Sequence, residues 1–412
     1  MNTTLTKEEK VSDLYKSQKT IIIIVRAEED LIYKLNNYIL PLGTGGTEKN
    51  IVQNIKILKK THKIHLVIIG IDKYSNEVFA PDINIIPIPL RNNNVSNLVN
   101  FFKTLLSKEL FGIKTLKTDK TIVLVHGQFI PALLLKLFHP QIKVVLLLEG
   151  TFKSFAWSFY INNFLLKCAY FVTSLLSIFI IDKIITDRKT FWLLNTKIGF
   201  LRKKTFFLAN SIDKKIFNSE KENTNNKELP SGNFLLYVGR LNCIPAKNPE
   251  LLLKSFEKVY KYNKNIKLLI IGINYETLNQ LKSKFKINNT DGIHCIKKVP
   301  NYELPTFYQN AALTLLTSNF EGTPYTILES LACGTPCITT KAIDSDTIIN
   351  NGFNGYICKS FSPDDFAELI IKGLELSKNI KNRDMSLLNP IYLIEKREKN
   401  LLSALNSFHI RE

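Results

Sequence analysis

Short apolar runs, separated by longer segments of mixed polarity, recur along the first half of the chain. They lie at residues 21–25, 65–69, 122–125, 144–148 and 184–185. Apolar runs of this kind are typical of strands buried on both faces of a parallel sheet, and the mixed segments are typical of the connecting helices. The pattern predicts a doubly wound α/β unit in this half.

A second series of the same kind follows at residues 235–238, 268–271, 313–316 and 337–339. We therefore expect an α/β fold of two Rossmann-like domains, each built on a doubly wound parallel sheet. Ligands of such sheets bind beyond the carboxyl ends of the strands. The two domains are thus expected to face each other across a central cleft.

A polar and Asn-rich stretch at residues 219–232 marks a surface loop near the boundary between the two halves. We predict an N-terminal domain over residues 1–208 and a C-terminal domain over residues 209–385. The remaining residues, 386–412, return to an amphipathic pattern and are predicted to contain a final helix.

The composition is that of a globular protein, with 45% hydrophobic and 22% charged residues. The formal net charge of +19 favours anionic partners, which include nucleotide sugars, acidic lipid head groups and nucleic acid. Charge alone does not choose among these three.

The cysteines show no CxxC pair, so we expect neither a metal site nor a disulfide, and a reducing cytoplasm. Residues 1–20 are polar and mixed in charge, unlike a signal peptide.

Residues 164–181 are almost entirely apolar. Three interpretations stay open: a buried helix of the first domain, a helix that docks on a membrane surface, and a membrane span. The uncharged part is short for a span, whereas the aromatic and basic residues around Trp157 suit a membrane interface.

The most informative stretch is residues 320–336, where Glu321 and Glu329 are separated by seven residues. Thr323 is predicted to cap a helix that has Pro324 at its first position. The first backbone N–H groups of such a helix, those of Tyr325, Thr326 and Ile327, would form an anion site.

Glu329 lies five residues after Pro324, which is about 7.5 Å along the helix axis. If a diphosphate is held at the N-terminus of the helix, the ribose attached to it would be within reach of Glu329. A carboxylate accepts two parallel hydrogen bonds, so it suits the vicinal hydroxyls of a ribose. Glu321 would face the group on the other side of the diphosphate, for which a sugar is the obvious candidate. The alternative is that both glutamates are ordinary solvated acids.

A second constellation follows the apolar run at 235–238, where the chain continues with Gly239 and places Arg240 and Lys247 before the next helix. Two cations at the carboxyl end of a strand can neutralise a diphosphate and stabilise the charge that develops as it leaves. A solvated basic loop is the alternative.

These two strings resemble the motifs of the retaining family 4 glycosyltransferases, which transfer a sugar from a nucleotide diphosphate donor. The resemblance implies the GT-B fold, whose last helix often returns to the first domain. It also implies that Glu321 contacts the donor sugar, Glu329 the ribose, and Arg240 and Lys247 the donor phosphates. The neighbouring residues implied in donor binding are Gly322, Thr323, Tyr325 and Thr326.

Softer resemblances extend over other segments. Gly45 and Gly46 are similar to the family's Gly-Gly loop near the donor phosphate and the acceptor. Val299 falls in a segment similar to the one whose backbone meets the nucleobase.

The first domain departs from the family at one position, because Glu149-Gly150 stands where a His-Gly is common. Glu149 is therefore a candidate hydrogen-bond acceptor or base. His126 is the better match to a family histidine at the preceding strand, although a histidine at a strand end is also often structural. An Asp-x-Asp at Asp344 and Asp346 reads as a turn, and we expect no metal and no cofactor.

We therefore expect a metal-independent retaining glycosyltransferase that uses a nucleotide sugar and acts on a glycan or lipid-linked acceptor in cell-envelope synthesis. It is expected in the cytoplasm, with peripheral attachment to an anionic membrane surface as a further expectation. The alternatives are a non-catalytic scaffold that binds sugar nucleotides and a nucleic-acid-binding protein. The second alternative leaves Glu321 and Glu329 without a role, so we expect no nucleic acid partner.

Overall fold

The computed structural model describes thirteen segments of the chain. They are residues 20–26, 46–69, 83–88, 121–127, 129–148, 164–187, 197–220, 228–242, 246–288, 291–319, 321–341, 348–380 and 384–406. The described residues form two compact units. The first unit extends to Phe207, and the second begins at Leu208 and also includes Gly46 and Asp187.

The first unit is built on a parallel sheet of seven strands in the order β3-β2-β1-β4-β5-β6-β7. The strands are β1 (Thr20–Arg26), β2 (Lys63–Ile69), β3 (Ile83–Ile88), β4 (Thr121–His126), β5 (Lys143–Leu148), β6 (Lys183–Thr186) and β7 (Thr205–Phe207). The helices described here are α1 (Gly46–Leu58), α2 (Phe129–Phe138), α3 (Phe164–Ile180) and the short α4 (Gly199–Arg202).

The second unit contains a parallel sheet of six strands in the order β10-β9-β8-β11-β12-β13. The strands are β8 (Phe234–Val238), β9 (Lys267–Ile271), β10 (Ile293–Ile296), β11 (Leu313–Leu316), β12 (Cys337–Thr340) and β13 (Gly355–Cys358). The helices are α5 (Pro249–Tyr262), α6 (Tyr275–Phe285), α7 (Leu304–Asn310), α8 (Tyr325–Ala332), α9 (Pro363–Asn379) and α10 (Ile394–Asn406).

The apolar runs became strands because both faces of each sheet are covered. In β1, Ile21 and Ile23 are buried on one face and Ile22 and Ile24 on the other. The nine runs predicted from the sequence all fall on strands, which confirms the doubly wound α/β fold. β3, β7, β10 and β13 were not predicted.

Both sheets have the same doubly wound order, in which the fourth strand pairs with the first on the side opposite the second. The connections therefore diverge between β1 and β4 in the first unit, and between β8 and β11 in the second. Such a switch point leaves a crevice beyond the carboxyl ends of the two strands, where ligands of this fold class bind.

The last helix, α10, lies in the second unit. The Ile394 N–H donates to the Ile212 carbonyl at 3.1 Å, and the buried Arg397 donates through Nη1 to the Ala209 carbonyl at 2.6 Å. A return of this helix towards the first domain stays a prediction, as do the limits of the domains.

The apolar segment at residues 164–181 forms helix α3. Over the part of the chain that the structure describes, no helix is long and apolar enough to span a membrane.

The end of β9 approaches the loop after β8 so closely that Gly272 has no room for a side chain. Its φ is +128°, and a Cβ added there would lie 2.2 Å from the Gly239 carbonyl oxygen. At this close approach the Gly239 N–H donates to the Ile271 carbonyl at 2.8 Å, and this hydrogen bond joins the ends of β8 and β9.

We predict that Gly272→Ala lowers the free energy of unfolding by about 3 kcal/mol or more, since it adds both a clash and a strained φ. Gly232→Ala is the matched control, because its φ is +83° and no atom lies within 4 Å of the added Cβ. The control is expected to cost only about 1 kcal/mol. Urea unfolding followed by circular dichroism measures both, and equal losses would contradict the steric argument.

Candidate functional site

The two sequence motifs meet at the switch point of the second sheet. β8 leads into the loop that carries Arg240 and Lys247, and its neighbour β11 leads into the loop that carries Glu321. Because both strands are parallel, both loops leave the same edge of the sheet. The candidate site therefore occupies the position where this fold class binds its ligands.

Hydrogen bonds join these two loops to each other. The Asn319 N–H donates to the Ala246 carbonyl at 2.8 Å, and the Thr317 hydroxyl donates to the Lys247 carbonyl at 3.0 Å. The side chain of Asn248, which caps α5, donates to Asn319 Oδ1 at 3.0 Å. The loop after β11 thus holds the chain at Lys247 and at the residues directly before and after it.

Lys247 and Glu321 form an ion pair through Nζ and Oε1. The same carboxylate oxygen accepts a hydrogen bond from the Ser318 hydroxyl at 2.8 Å. Both charged side chains are mostly buried, with 26% of Lys247 and 17% of Glu321 exposed, so water screens their attraction less than at an open surface. Arg240 is exposed at the carboxyl end of β8.

The start of α8 differs from the prediction. Pro324, with an extended ψ of 123°, is the residue before the helix and not its first residue. Thr323 does not cap the helix, because its hydroxyl donates to the Asp187 carbonyl at 2.7 Å. One of the three N–H groups assigned to the anion site, that of Ile327, donates to the Pro324 carbonyl at 3.2 Å.

Glu329 lies on α8 with only 2% of its surface exposed. Its Oε2 accepts a hydrogen bond at 2.9 Å from the hydroxyl of Tyr308, a completely buried residue of α7. Burial and the Glu329 carboxylate together hold the pKa of Tyr308 well above its usual range, so the phenol stays a donor at neutral pH. Burial also raises the pKa of the nearby Cys337 thiol to about 12.

The other predicted donor-binding residues near Glu329 lie at the start of α8. The Thr326 hydroxyl donates to the Val238 carbonyl at 3.2 Å, and the amide of Asn210 donates to the Thr323 carbonyl at 2.6 Å. Gly322 and Tyr325 are buried. This segment is thus tied to the end of β8 by the Thr326 side chain and to the segment that follows Leu208 by the Thr323 carbonyl.

Val299 is buried and follows β10, the edge strand two places from β8. Adjacent strands are about 4.8 Å apart, which places the end of β10 about 10 Å from that of β8 along the same edge of the sheet.

His126 ends β4 at the switch point of the first unit and is 6% exposed. Gly46 begins α1. The other predicted positions of this half, Gly45 and Glu149, lie outside the described residues, as do Asp344 and Asp346. The candidate residues of the first half therefore stay predictions.

The sequence reasoning missed Tyr308, Ser318 and Asn319. Tyr308 follows Phe307 on a short helix and reads as an ordinary core residue, so its partner could only be found in the tertiary structure. Ser318 and Asn319 lie directly before the Glu321 motif, and their position after a strand was a usable signal.

No group of three or more His, Cys, Asp and Glu side chains suited to a metal ion occurs among the residues described.

Comparison with known proteins agrees with this geometry. Residues 218–386 match the family of glycosyl transferases group 1. An uncharacterized glycosyltransferase of Methanocaldococcus jannaschii is 25% identical over 191 residues, which are 46% of this chain and 49% of that protein. The UDP-Gal:alpha-D-GlcNAc-diphosphoundecaprenol alpha-1,3-galactosyltransferase of Escherichia coli is 23% identical over 39% of this chain and 42% of its own. The chain thus spans about half the length of these relatives or less.

Two solved structures share the fold over almost the whole chain. A sucrose-phosphate synthase from Thermosynechococcus elongatus has a TM-score of 0.73 at 13% identity, covering 96% of this chain and 100% of that one. An Anabaena protein, HepE, solved in complex with UDP-glucose, has a TM-score of 0.65 at 11% identity, with coverages of 95% and 100%. The two Rossmann-like sheets are those of the GT-B fold, and residues 218–386 are similar to the glycosyl transferases group 1 family.

Proposed function

We propose that this protein is a metal-independent retaining glycosyltransferase, which moves a sugar from a nucleotide diphosphate to a hydroxyl of a glycan or lipid-linked acceptor. The observation that carries the proposal is the pairing of Lys247 with Glu321 at the β8–β11 switch point. A nucleotide sugar presents an anionic phosphate directly beside the hydroxyls of its sugar. A protein site with a cation beside a carboxylate matches this substrate, because the cation can bind the phosphate and the carboxylate can accept hydrogen bonds from the hydroxyls.

In this assignment Lys247 and Arg240 bind the diphosphate, and Glu321 accepts hydrogen bonds from the sugar hydroxyls. Glu329, oriented by Tyr308, contacts the ribose. Breaking the bond between the sugar's anomeric carbon and the phosphate oxygen leaves the electron pair on the nucleoside diphosphate. The two cations stabilise that growing negative charge.

Retention requires the acceptor oxygen to form its bond on the face that the phosphate leaves. The departing phosphate oxygen is the nearest group able to take the acceptor proton, so the step balances without an additional base. His126 and Glu149 are proposed as acceptor-side residues of the first domain. We assign no covalent nucleophile.

Two comparisons support the substrate classes. HepE was solved with UDP-glucose, and the Escherichia coli relative is named for a UDP-sugar donor and a diphosphoundecaprenol-linked acceptor. By analogy we propose a role in cell-envelope polysaccharide or glycolipid synthesis. The unpaired thiols, which include Cys333 and Cys358, favour a reducing compartment such as the cytoplasm.

A thermal-shift screen of nucleotide sugars identifies the donor, and nucleotide release from that donor, with and without candidate acceptors, measures the reaction. Release that depends on an acceptor is the expected result. Stable binding of a nucleotide sugar without any release would favour the non-catalytic scaffold.

The first functional prediction concerns the ion pair. Lys247→Ala and Glu321→Ala should each lower kcat/KM for nucleotide release roughly 100-fold or more, because each removes a charge that acts at the reacting bond. Lys254→Ala is the matched control, since this lysine of α5 pairs with the half-exposed Glu250. The control should retain activity within about twofold. A fully active, folded Lys247→Ala protein would overturn the assignment.

The second prediction separates orientation from chemistry. Tyr308→Phe should raise the KM for the donor roughly 3- to 10-fold and change kcat little, because Glu329 loses the hydrogen bond that orients it towards the ribose. Tyr392→Phe, which removes another buried hydroxyl of the same unit, should leave KM unchanged. Equal KM values for the two variants would assign Tyr308 a purely structural role.

The third prediction concerns metal ions. Because Arg240 and Lys247 supply the positive charge, a chelator such as EDTA should leave the transfer rate unchanged, and added Mg²⁺ or Mn²⁺ should not raise it. Loss of activity with EDTA and its recovery with Mn²⁺ would contradict metal independence.

A further inference from the structure

One helix of the first unit presents its apolar side outwards. Along α3 six large apolar side chains recur every three or four residues and are between 37% and 57% exposed. They are Phe171, Val172, Leu175, Leu176, Phe179 and Ile180. This spacing places all six on one face of the helix, here called the α3 face.

The opposite side of α3 packs inwards and carries Ser174, Ser177 and Ile178. Ser174 and Ser177 are completely buried, and the Ser177 hydroxyl donates to the Phe129 carbonyl of α2 at 3.0 Å. A surface helix normally packs its large apolar residues on the core. Because Ser174, Ser177 and Ile178 pack inwards, the six large apolar residues of the α3 face are left outside.

The apolar surface continues beyond the helix. The ring of Phe200 on α4 stacks on that of Phe179, with 5.1 Å between the ring centroids, and both rings are about half exposed. Ile198 is also 47% exposed. Contiguous exposed apolar surface of this kind marks an interaction site on a protein.

The charges at the edge of this surface have one sign. Residues 164–181 and 188–207 contain no Asp or Glu. Lys197, Arg202 and Lys203 are exposed beside Phe200. The acid that follows α3, Asp182, is paired with Lys136 at 2.8 Å. The rim is therefore cationic.

We infer that the α3 face docks on a bilayer surface that contains anionic phospholipid. The apolar side chains would enter the acyl boundary while the cations contact the head groups. α3 has 17 residues, so it is about 25 Å long and suited to lying in the plane of the interface. Docking does not depend on the proposed transfer reaction.

A second copy of this chain is a poorer occupant of the same face. A symmetric dimer places the same patch on both partners. Its cationic rims would then face each other, and like charges at an interface oppose association. An anionic lipid surface both covers the apolar residues and complements the rim.

Vesicle flotation with the full chain tests the inference. The wild-type protein should float with vesicles of phosphatidylcholine and phosphatidylglycerol but not with phosphatidylcholine alone, and added salt should weaken the binding. Failure to bind the anionic vesicles would overturn the inference.

Two pairs of variants then locate the surface. Leu176→Gln combined with Phe179→Gln should weaken vesicle binding roughly tenfold or more. The control combines Phe353→Gln with Phe361→Gln, two exposed phenylalanines of the second unit, and should bind like the wild type. Equal binding by both double variants would refute the α3 face as the docking surface.

The cations are tested with two double variants that lower the net charge by the same amount. Arg202→Gln combined with Lys203→Gln should weaken binding roughly tenfold or more, whereas Lys261→Gln with Lys378→Gln should have a much smaller effect. Equal losses would mean that only total charge matters, which contradicts a defined surface.

Two readouts separate the remaining explanations. Sedimentation velocity without vesicles should give a monomer, and a dimer abolished by Leu176→Gln with Phe179→Gln would assign the α3 face to self-association instead. Nucleotide release from the donor, measured with a soluble acceptor, should be unchanged in these variants, so a failure of docking can be told apart from a failure of the proposed reaction.

Discussion

The candidate site depends on the way two loops are joined beyond the ends of β8 and β11. The Asn319 backbone and the Thr317 hydroxyl bind the Ala246–Lys247 backbone, and this places the Lys247 ammonium against the Glu321 carboxylate. Neither residue could be held there by its own loop alone, because each loop leaves a different strand. Parallel pairing of β8 with β11 brings the loops to one edge, and the cross-loop hydrogen bonds then fix the distance between the charges.

The two glutamates of the motif have different surroundings, and the difference explains their proposed roles. Glu321 is partly exposed and paired with a cation, as suits a group that contacts the reacting part of a substrate. Glu329 is almost completely buried and is held by the Tyr308 phenol, as suits a group that binds without taking part in the chemistry. The seven residues between them span the start of α8, so the pair does not form a carboxylate dyad.

The first unit contributes a different physical feature. On α3 the packed side carries Ser174, Ser177 and Ile178, whereas six large apolar residues lie on the exposed side, unlike in an ordinary surface helix. The sequence of α3 is apolar almost throughout, so periodicity could not say which side packs on the core. The packing of Ser174, Ser177 and Ile178 on the core shows which side is inward, and the apolar side with its cationic rim faces outwards.

The sequence by itself determined the α/β class, nine of the strands and the positions of Lys247, Glu321 and Glu329, because buried parallel strands and motif spacing are local properties of the chain. It misplaced the start of α8, since the Thr323 hydroxyl found a partner at Asp187, 136 residues earlier. It also missed Tyr308, which acquires its role only when α7 packs beside α8. Hydrogen-bond partners distant in sequence, and the direction in which a wholly apolar helix faces, were decided by tertiary packing alone.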